Sequence, residues 1–124
     1  MEALGNVIVV LEDDPRLREA LCLLLADWNF RAVSATRAGD ALAQVGAYVD
    51  VVIAVITDFD LGQGVNGVDE AHALRAAGIS APVLVISGSL RGNAVEKARE
   101  AGFHFLSKPV KPLDIENWLA ARRG

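Results

Sequence analysis

A chain of 124 residues with 52% hydrophobic content and a mean hydropathy of +0.32 can bury a core of domain size, which excludes disorder as its main state. A net charge of −4, with no basic run longer than Arg122 and Arg123, excludes a nucleic-acid surface. No apolar run reaches the roughly 18 residues of a membrane span, Met1 to Asn6 has no signal-peptide pattern, and the lone Cys22 cannot form an internal disulfide. The expectation is one domain over residues 1–124, cytoplasmic, without direct contact to nucleic acid or membrane.

The first apolar run, Val7 to Leu11, reads as a strand and ends in Glu12, Asp13 and Asp14. Asp14 can cap a helix with Pro15 in its first turn, and Leu17, Leu21, Leu24, Leu25 and Trp28 then share one apolar face. Cys22, among leucines, reads as a packed residue. Arg31 to Ala35 predicts a second strand, and Ala38 to Val45 a helix closed by Gly46. The third strand, Val51 to Thr57, is the most apolar stretch and delivers Asp58 at its tip. A loop from Asp60 to Asn66 holds Gly62 and Gly64, and a helix then runs to about Ala77, stopping at Gly78. Strand four is Pro82 to Ser87, helix four about Leu90 to Ala101 with Gly102 behind it, and strand five Phe103 to Ser107. Lys108 and Pro109 follow, and a last helix from Lys111 or Pro112 turns Ile115, Trp118 and Leu119 inward.

Strands alternating with helices predict a parallel sheet joined by right-handed crossovers. Strands one, three and four are apolar without alternation, so both sheet faces should be covered, giving a three-layer α/β/α sandwich. In such sheets ligands bind beyond the carboxyl ends of the strands. Four polar endings meet there: Glu12 and Asp13, Asp58, Ser87, and Lys108.

Two carboxylates about 4 Å apart repel by about 4 kcal/mol at an effective dielectric of about 20, so Glu12, Asp13 and Asp58 call for a cation. Oxygen ligands, few and open to solvent, suit Mg²⁺, and no His or Cys cluster offers a zinc site. A lysine ending a buried strand needs an anionic partner or a route to water. A cis bond between Lys108 and Pro109 would fix its direction. His72, with no second ligand one turn on, and His104 read as surface or packing residues, and Trp28 and Trp118 as core.

An acidic pair after strand one, Asp58 after strand three, Ser87 after strand four and Lys108-Pro109 after strand five resemble the receiver domain of two-component response regulators, in order along the whole chain. The resemblance implies a flavodoxin-like (βα)5 fold with strand order 2-1-3-4-5. It implies that Asp58 is the phosphoacceptor and that Glu12, Asp13, Asp58 and the backbone carbonyl of Asp60 hold Mg²⁺, with Asp14 only a cap. It further makes Ser87 the switch hydroxyl, Lys108 the partner of a phosphoryl oxygen, and Phe105 the aromatic whose rotamer reports phosphorylation. The implied phosphodonor is a histidine kinase or histidine phosphotransfer domain, and the surface that changes is helix four, strand five and helix five, where a homodimer would also form. Such a domain catalyses its own Mg²⁺-dependent phosphorylation and dephosphorylation without being a turnover enzyme, and no output domain is expected here.

Phe59-Asp60-Leu61-Gly62 lacks the proline that many members carry after the leucine, and Gly102 to Lys108 is one residue shorter than in many stand-alone regulators. Both features, with Lys108-Pro109-Val110, look like receivers fused to hybrid sensor histidine kinases. Two other readings compete. Asp58-Phe59-Asp60 resembles the nucleophile and general acid of haloacid-dehalogenase-type phosphatases, but that family carries the motif on its first strand. The fold could also serve as an interaction module that signals by binding alone.

Overall fold

The computed structural model describes residues 6–88 and 93–123. Among these, β1 (Val7–Leu11), β2 (Arg31–Ala35), β3 (Val52–Asp58), β4 (Val83–Ser87) and β5 (His104–Ser107) form a parallel sheet of order β2-β1-β3-β4-β5. The helices are α1 (Pro15–Asp27), α2 (Ala38–Val45), α3 (Gly67–Ala76), α4 (Ala94–Glu100) and α5 (Pro112–Arg123). This is the expected flavodoxin-like arrangement. The reversal of strand order between β1 and β3 opens the crevice in which such folds bind ligands.

Residue parity along the strands divides the core in two. Val7, Val9 and Leu11 of β1 pack with α2, α3 and α4 through Ala41, Leu74 and Ala98. Ile8 and Val10 face the other way, onto Leu25 of α1 and Ile115 and Leu119 of α5. With all five β1 residues buried, both faces are dry, as an uninterrupted apolar run requires.

In β3 the parity is reset once. Val7 pairs with Val52 but Ile8 with Ala54, so Ile53 is an extra residue in the ladder. A bulge of this kind moves every later side chain to the opposite face. Val55 therefore packs on the α2 and α3 side and Ala54 and Ile56 on the α1 and α5 side.

Several expected boundaries shift. Val51 belongs to a 3-10 turn, Val49–Val51, and Asp58 is the last residue of β3 because it still pairs with Ile86. β4 and β5 each begin one residue later than expected, and α3 ends at Ala76. Helix four is described from Ala94, and its expected start at Leu90 lies outside the described residues. Asp14 does cap α1, its Oδ1 accepting from Arg16 N at 2.9 Å, and Pro15 is the first helical residue.

The expected face of α1 is only partly covered. Leu25 is fully buried, Leu21, Leu24 and Trp28 are half-buried, and Leu17 is exposed. The reason is that α1 and α5 share one sheet face and leave a groove between them, bordered by Leu17, Leu21, Leu24 and Ile115. Cys22 is half-buried rather than packed away, and Trp118 likewise. His72 is exposed with its ring 5.3 Å from Phe103, and His104 is exposed edge-on to Trp118. No helix among the described residues is long and apolar enough to cross a membrane.

Candidate functional site

At the carboxyl edge of the sheet a cleft of about 760 Å³ is lined by Glu12, Asp13, Asp58, Asp60, Ser87 and Lys108, among others. Glu12, Asp13, Asp58, Ser87 and Lys108, from four strand ends, therefore converge as their positions in the sequence anticipate, and Asp60, brought in by the family resemblance, joins them. Phe105 does not line the cleft. It pairs with Val85 in the ladder and packs, half-buried, against the α4-side core.

Glu12 extends β1 by one hydrogen bond, from its N–H to Ala35 O at 3.0 Å, and is 8% exposed. Its Oε2 accepts from Asp14 N at 3.2 Å, and its own carbonyl accepts from Arg18 Nη1 at 2.8 Å. The backbone thus holds an acid that the chain would otherwise turn to water. Burial pushes the Glu12 carboxyl up to about 7; the Asp14 N–H opposes the rise and the Asp58 charge adds to it. Asp13 is exposed, yet carboxylate oxygens of Glu12, Asp13 and Asp58 lie within 4.8 Å of one another.

Asp58 is 9% exposed. Its Oδ2 accepts from Lys108 Nζ at 3.0 Å, and its Oδ1 from Asp60 N at 3.3 Å. Burial works against the Lys108 ammonium, but the bond to Asp58 and the charges of Asp58, Glu12 and Asp13 outweigh it and hold its pKa above the ordinary value. Among the described residues, one ammonium bonded to a cluster of three carboxylates leaves an excess of negative charge. The all-oxygen donor set fits a hard divalent cation such as Mg²⁺.

Lys108 is held by its N–H to Ser87 O at 2.8 Å, and the Lys108-Pro109 peptide is cis. Ser87 is 5% exposed. Beneath Asp58, Thr57 donates its hydroxyl to Asp58 O at 2.9 Å, and Gly67 packs so closely that a Cβ there would overlap that same carbonyl oxygen.

Two contributors escaped the sequence reading. Arg18 supports Glu12, and Arg37 reaches from the end of β2 to carbonyls of the loop after β3. Arg37 lies two residues past a strand's carboxyl end, so the same rule that singled out Asp58 was the available signal.

A family model for the response regulator receiver domain matches residues 8–120. The chain belongs to this family. Among solved structures, this receiver domain is similar to the response regulator receiver domain protein (CheY-like) from Methanospirillum hungatei, with a TM-score of 0.79 at 17% identity, covering 94% of this chain and 91% of that one. It is similar to the N-terminal domain of an uncharacterized Wolinella succinogenes protein, with a TM-score of 0.77 at 27% identity over 95% and 93% of the two chains. The chemotaxis protein CheY4 of Vibrio cholerae gives a TM-score of 0.78 at 17% identity over 94% and 98%. No curated protein matches the sequence. With the receiver family assigned, and the Asp58 motif on β3 rather than on β1, the phosphatase reading is set aside.

Proposed function

We propose that the chain is the phosphoacceptor domain of a two-component phosphorelay, taking a phosphoryl group from a partner's phosphohistidine onto Asp58. The observation that carries the reading is the setting of the Asp58 carboxylate, 3.0 Å from the Lys108 ammonium on one side and grouped with Glu12 and Asp13 on the other. In the step, a carboxylate oxygen of Asp58 forms a bond to phosphorus as the phosphorus–nitrogen bond of the donor breaks, and the imidazole leaves with its electron pair. The product is an acyl phosphate, which water later cleaves to inorganic phosphate and the free carboxylate.

Glu12, Asp13, Asp58 and the Asp60 carbonyl would hold Mg²⁺, which when bound neutralises charge on the transferring oxygens. Lys108 shifts from the Asp58 carboxylate to a phosphoryl oxygen. Positioning and charge neutralisation are most of what such a transfer asks of a protein.

The phosphoryl group adds nearly two negative charges and three acceptors. Ser87 turns to donate to one of them, Phe105 moves into the space released, and the surface of α4, β5 and α5 changes. Inverting a 1:99 equilibrium needs about 5.5 kcal/mol, within reach of a few charge-assisted bonds of about 1.5 to 3 kcal/mol each. The donor is a cytoplasmic histidine kinase or histidine phosphotransfer domain, and the sequence features of the loops favour a hybrid kinase as the setting.

Intact-mass measurement after incubation with acetyl phosphate tests the reading. One phosphoryl group should be gained by the parent with Mg²⁺, and none without it or in Asp58→Asn. Stable labelling that survives in Asp58→Asn would remove Asp58 from its role.

A further inference from the structure

Arg37 makes three hydrogen bonds to carbonyl groups. Its Nη1 donates to Thr36 O at 2.8 Å and to Leu61 O at 2.9 Å, and its Nη2 donates to Gly62 O at 3.4 Å. Residue 37 lies in the short link between β2 and α2, whereas residues 61 and 62 belong to the loop after β3, so the guanidinium ties together two loops 24 and 25 positions apart in the chain. A planar fork of donors suits two carbonyls side by side better than an ammonium would.

The loop it grips is strained and faces the acid cluster. Gly62, Gln63 and Gly64 all have positive φ, at 83°, 56° and 75°. For Gln63 that costs about 1 kcal/mol or more, so the conformation needs restraint from outside the loop. On the side towards β1, Gly62 lies so near Asp13 that a Cβ would come 3.0 Å from its Oδ2.

Peptide planarity carries the restraint to Asp60. The Asp60 carbonyl and the Leu61 N–H share one rigid plane and point in opposite directions. Leu61 N donates to Val65 O at 3.0 Å, so the Asp60 carbonyl is turned away from Val65. The next plane, holding the Leu61 carbonyl, is the one that Arg37 grips. With both planes held, and Leu61 itself 1% exposed, the Asp60 carbonyl has little freedom left.

We propose that Arg37 is a positioning residue for the divalent-cation site, fixing the loop so that the Asp60 carbonyl is presented as a preformed ligand. This rests on the metal site of the proposed function. It assigns Arg37 no contact with the ion.

The test is Mg²⁺ affinity by calorimetry on the metal-free full chain, alongside its melting temperature and the amide shifts of Leu61 and Gly62. Residues supporting a ligand from behind are worth about tenfold to hundredfold in metal affinity, and Arg37→Ala should weaken Mg²⁺ by about tenfold. Arg37→Lys, able to reach one carbonyl, should fall between that variant and the parent. Leu61 and Gly62 amide signals should shift before any metal is added. Arg37→Ala binding Mg²⁺ within about twofold of the parent overturns the proposal, whatever its melting temperature. Should Arg37→Ala not fold, Arg37→Lys decides alone: weakening supports the role and unchanged affinity overturns it. A parent that binds no divalent cation removes the metal site itself, a result distinct from a parent that binds and a variant that matches it.

Discussion

Lys108 Nζ donates to Asp58 Oδ2 at 3.0 Å across 50 positions of sequence, the sole cation bonded to a carboxylate of the cleft among the described residues. The pair is asymmetric: the lysine is 32% exposed along its side chain and the aspartate 9%. Solvent therefore screens the ammonium while the carboxylate depends on it.

Removing the ammonium should separate metal binding from phosphoryl transfer. In Lys108→Ala the acid cluster loses its neutralising charge and should bind Mg²⁺ more tightly, by roughly tenfold after screening of a partly exposed partner. Labelling by acetyl phosphate should nonetheless fall, because a phosphoryl oxygen loses its counter-charge. Calorimetry and intact-mass kinetics on the same sample check both halves. Weaker Mg²⁺ binding in Lys108→Ala would show that the lysine organises the cluster instead of competing with the ion.

Glu12 should make the metal-free protein sensitive to pH near neutrality. Its folded pKa is raised from 4.5 to about 7, so the folded state holds this proton more tightly than the unfolded chain. The stabilising contribution is complete below about pH 4.5 and is lost as pH rises through about 7. Lys108, held above its ordinary 10.5, stays charged throughout that window. The melting temperature of the metal-free chain should carry a downward component between pH 5 and 8 that Glu12→Gln removes, on a scale of about 1 kcal/mol per unit of pH at most. Mg²⁺ affinity should run the opposite way, strengthening as Glu12 ionises. Calorimetry in two buffers of different ionisation enthalpy should find up to about one proton released per ion at pH 6.5, and no release would sink the assignment.

Gly67 should tolerate no side chain. It begins α3, donates its N–H to Phe59 O at 2.7 Å, and leaves no room for a Cβ beside the Asp58 carbonyl and Thr57 Oγ1. Relief requires the backbone of Asp58 or the start of α3 to move. Gly67→Ala should lose more than about 2 kcal/mol in urea unfolding, against the roughly 0.5 kcal/mol of a neutral surface change. Gly39→Ala, in α2 with nothing near its missing Cβ, is the control and should gain slightly. Equal stability of the two variants would show that the close approach is not enforced.

Much of this molecule is legible from local pattern. An apolar run such as Val7 to Leu11 has one low-energy use in a chain this size, a strand dry on both faces, and the polar residue ending it must then emerge at the sheet's carboxyl edge. Asp14 and Pro15 mark the start of α1 through backbone chemistry that acts over three residues. Those signals were sufficient to bring Glu12, Asp13, Asp58, Ser87 and Lys108 to one cleft, because parallel topology aligns strand ends whatever the loops do.

Where relations between distant segments matter, local pattern falls silent. Periodicity grouped Leu17 with Leu25, but how far α5 covers α1 leaves Leu17 47% exposed and Leu25 at 0%. The bulge at Ile53 has no mark among the valines and isoleucines around it; it arises from the register of β3 against β1 and resets the faces of the residues leading to Asp58. The clasp of Arg37 on Leu61 and Gly62 joins residues whose spacing carries no period. Strand and helix propensities come from neighbours in the chain, so they could be read directly. Register, coverage and the closeness of Glu12 to Asp58 come from packing the whole sheet at once, and they turn a set of aligned acids into a site with two buried carboxylates, one of them bonded to a lysine.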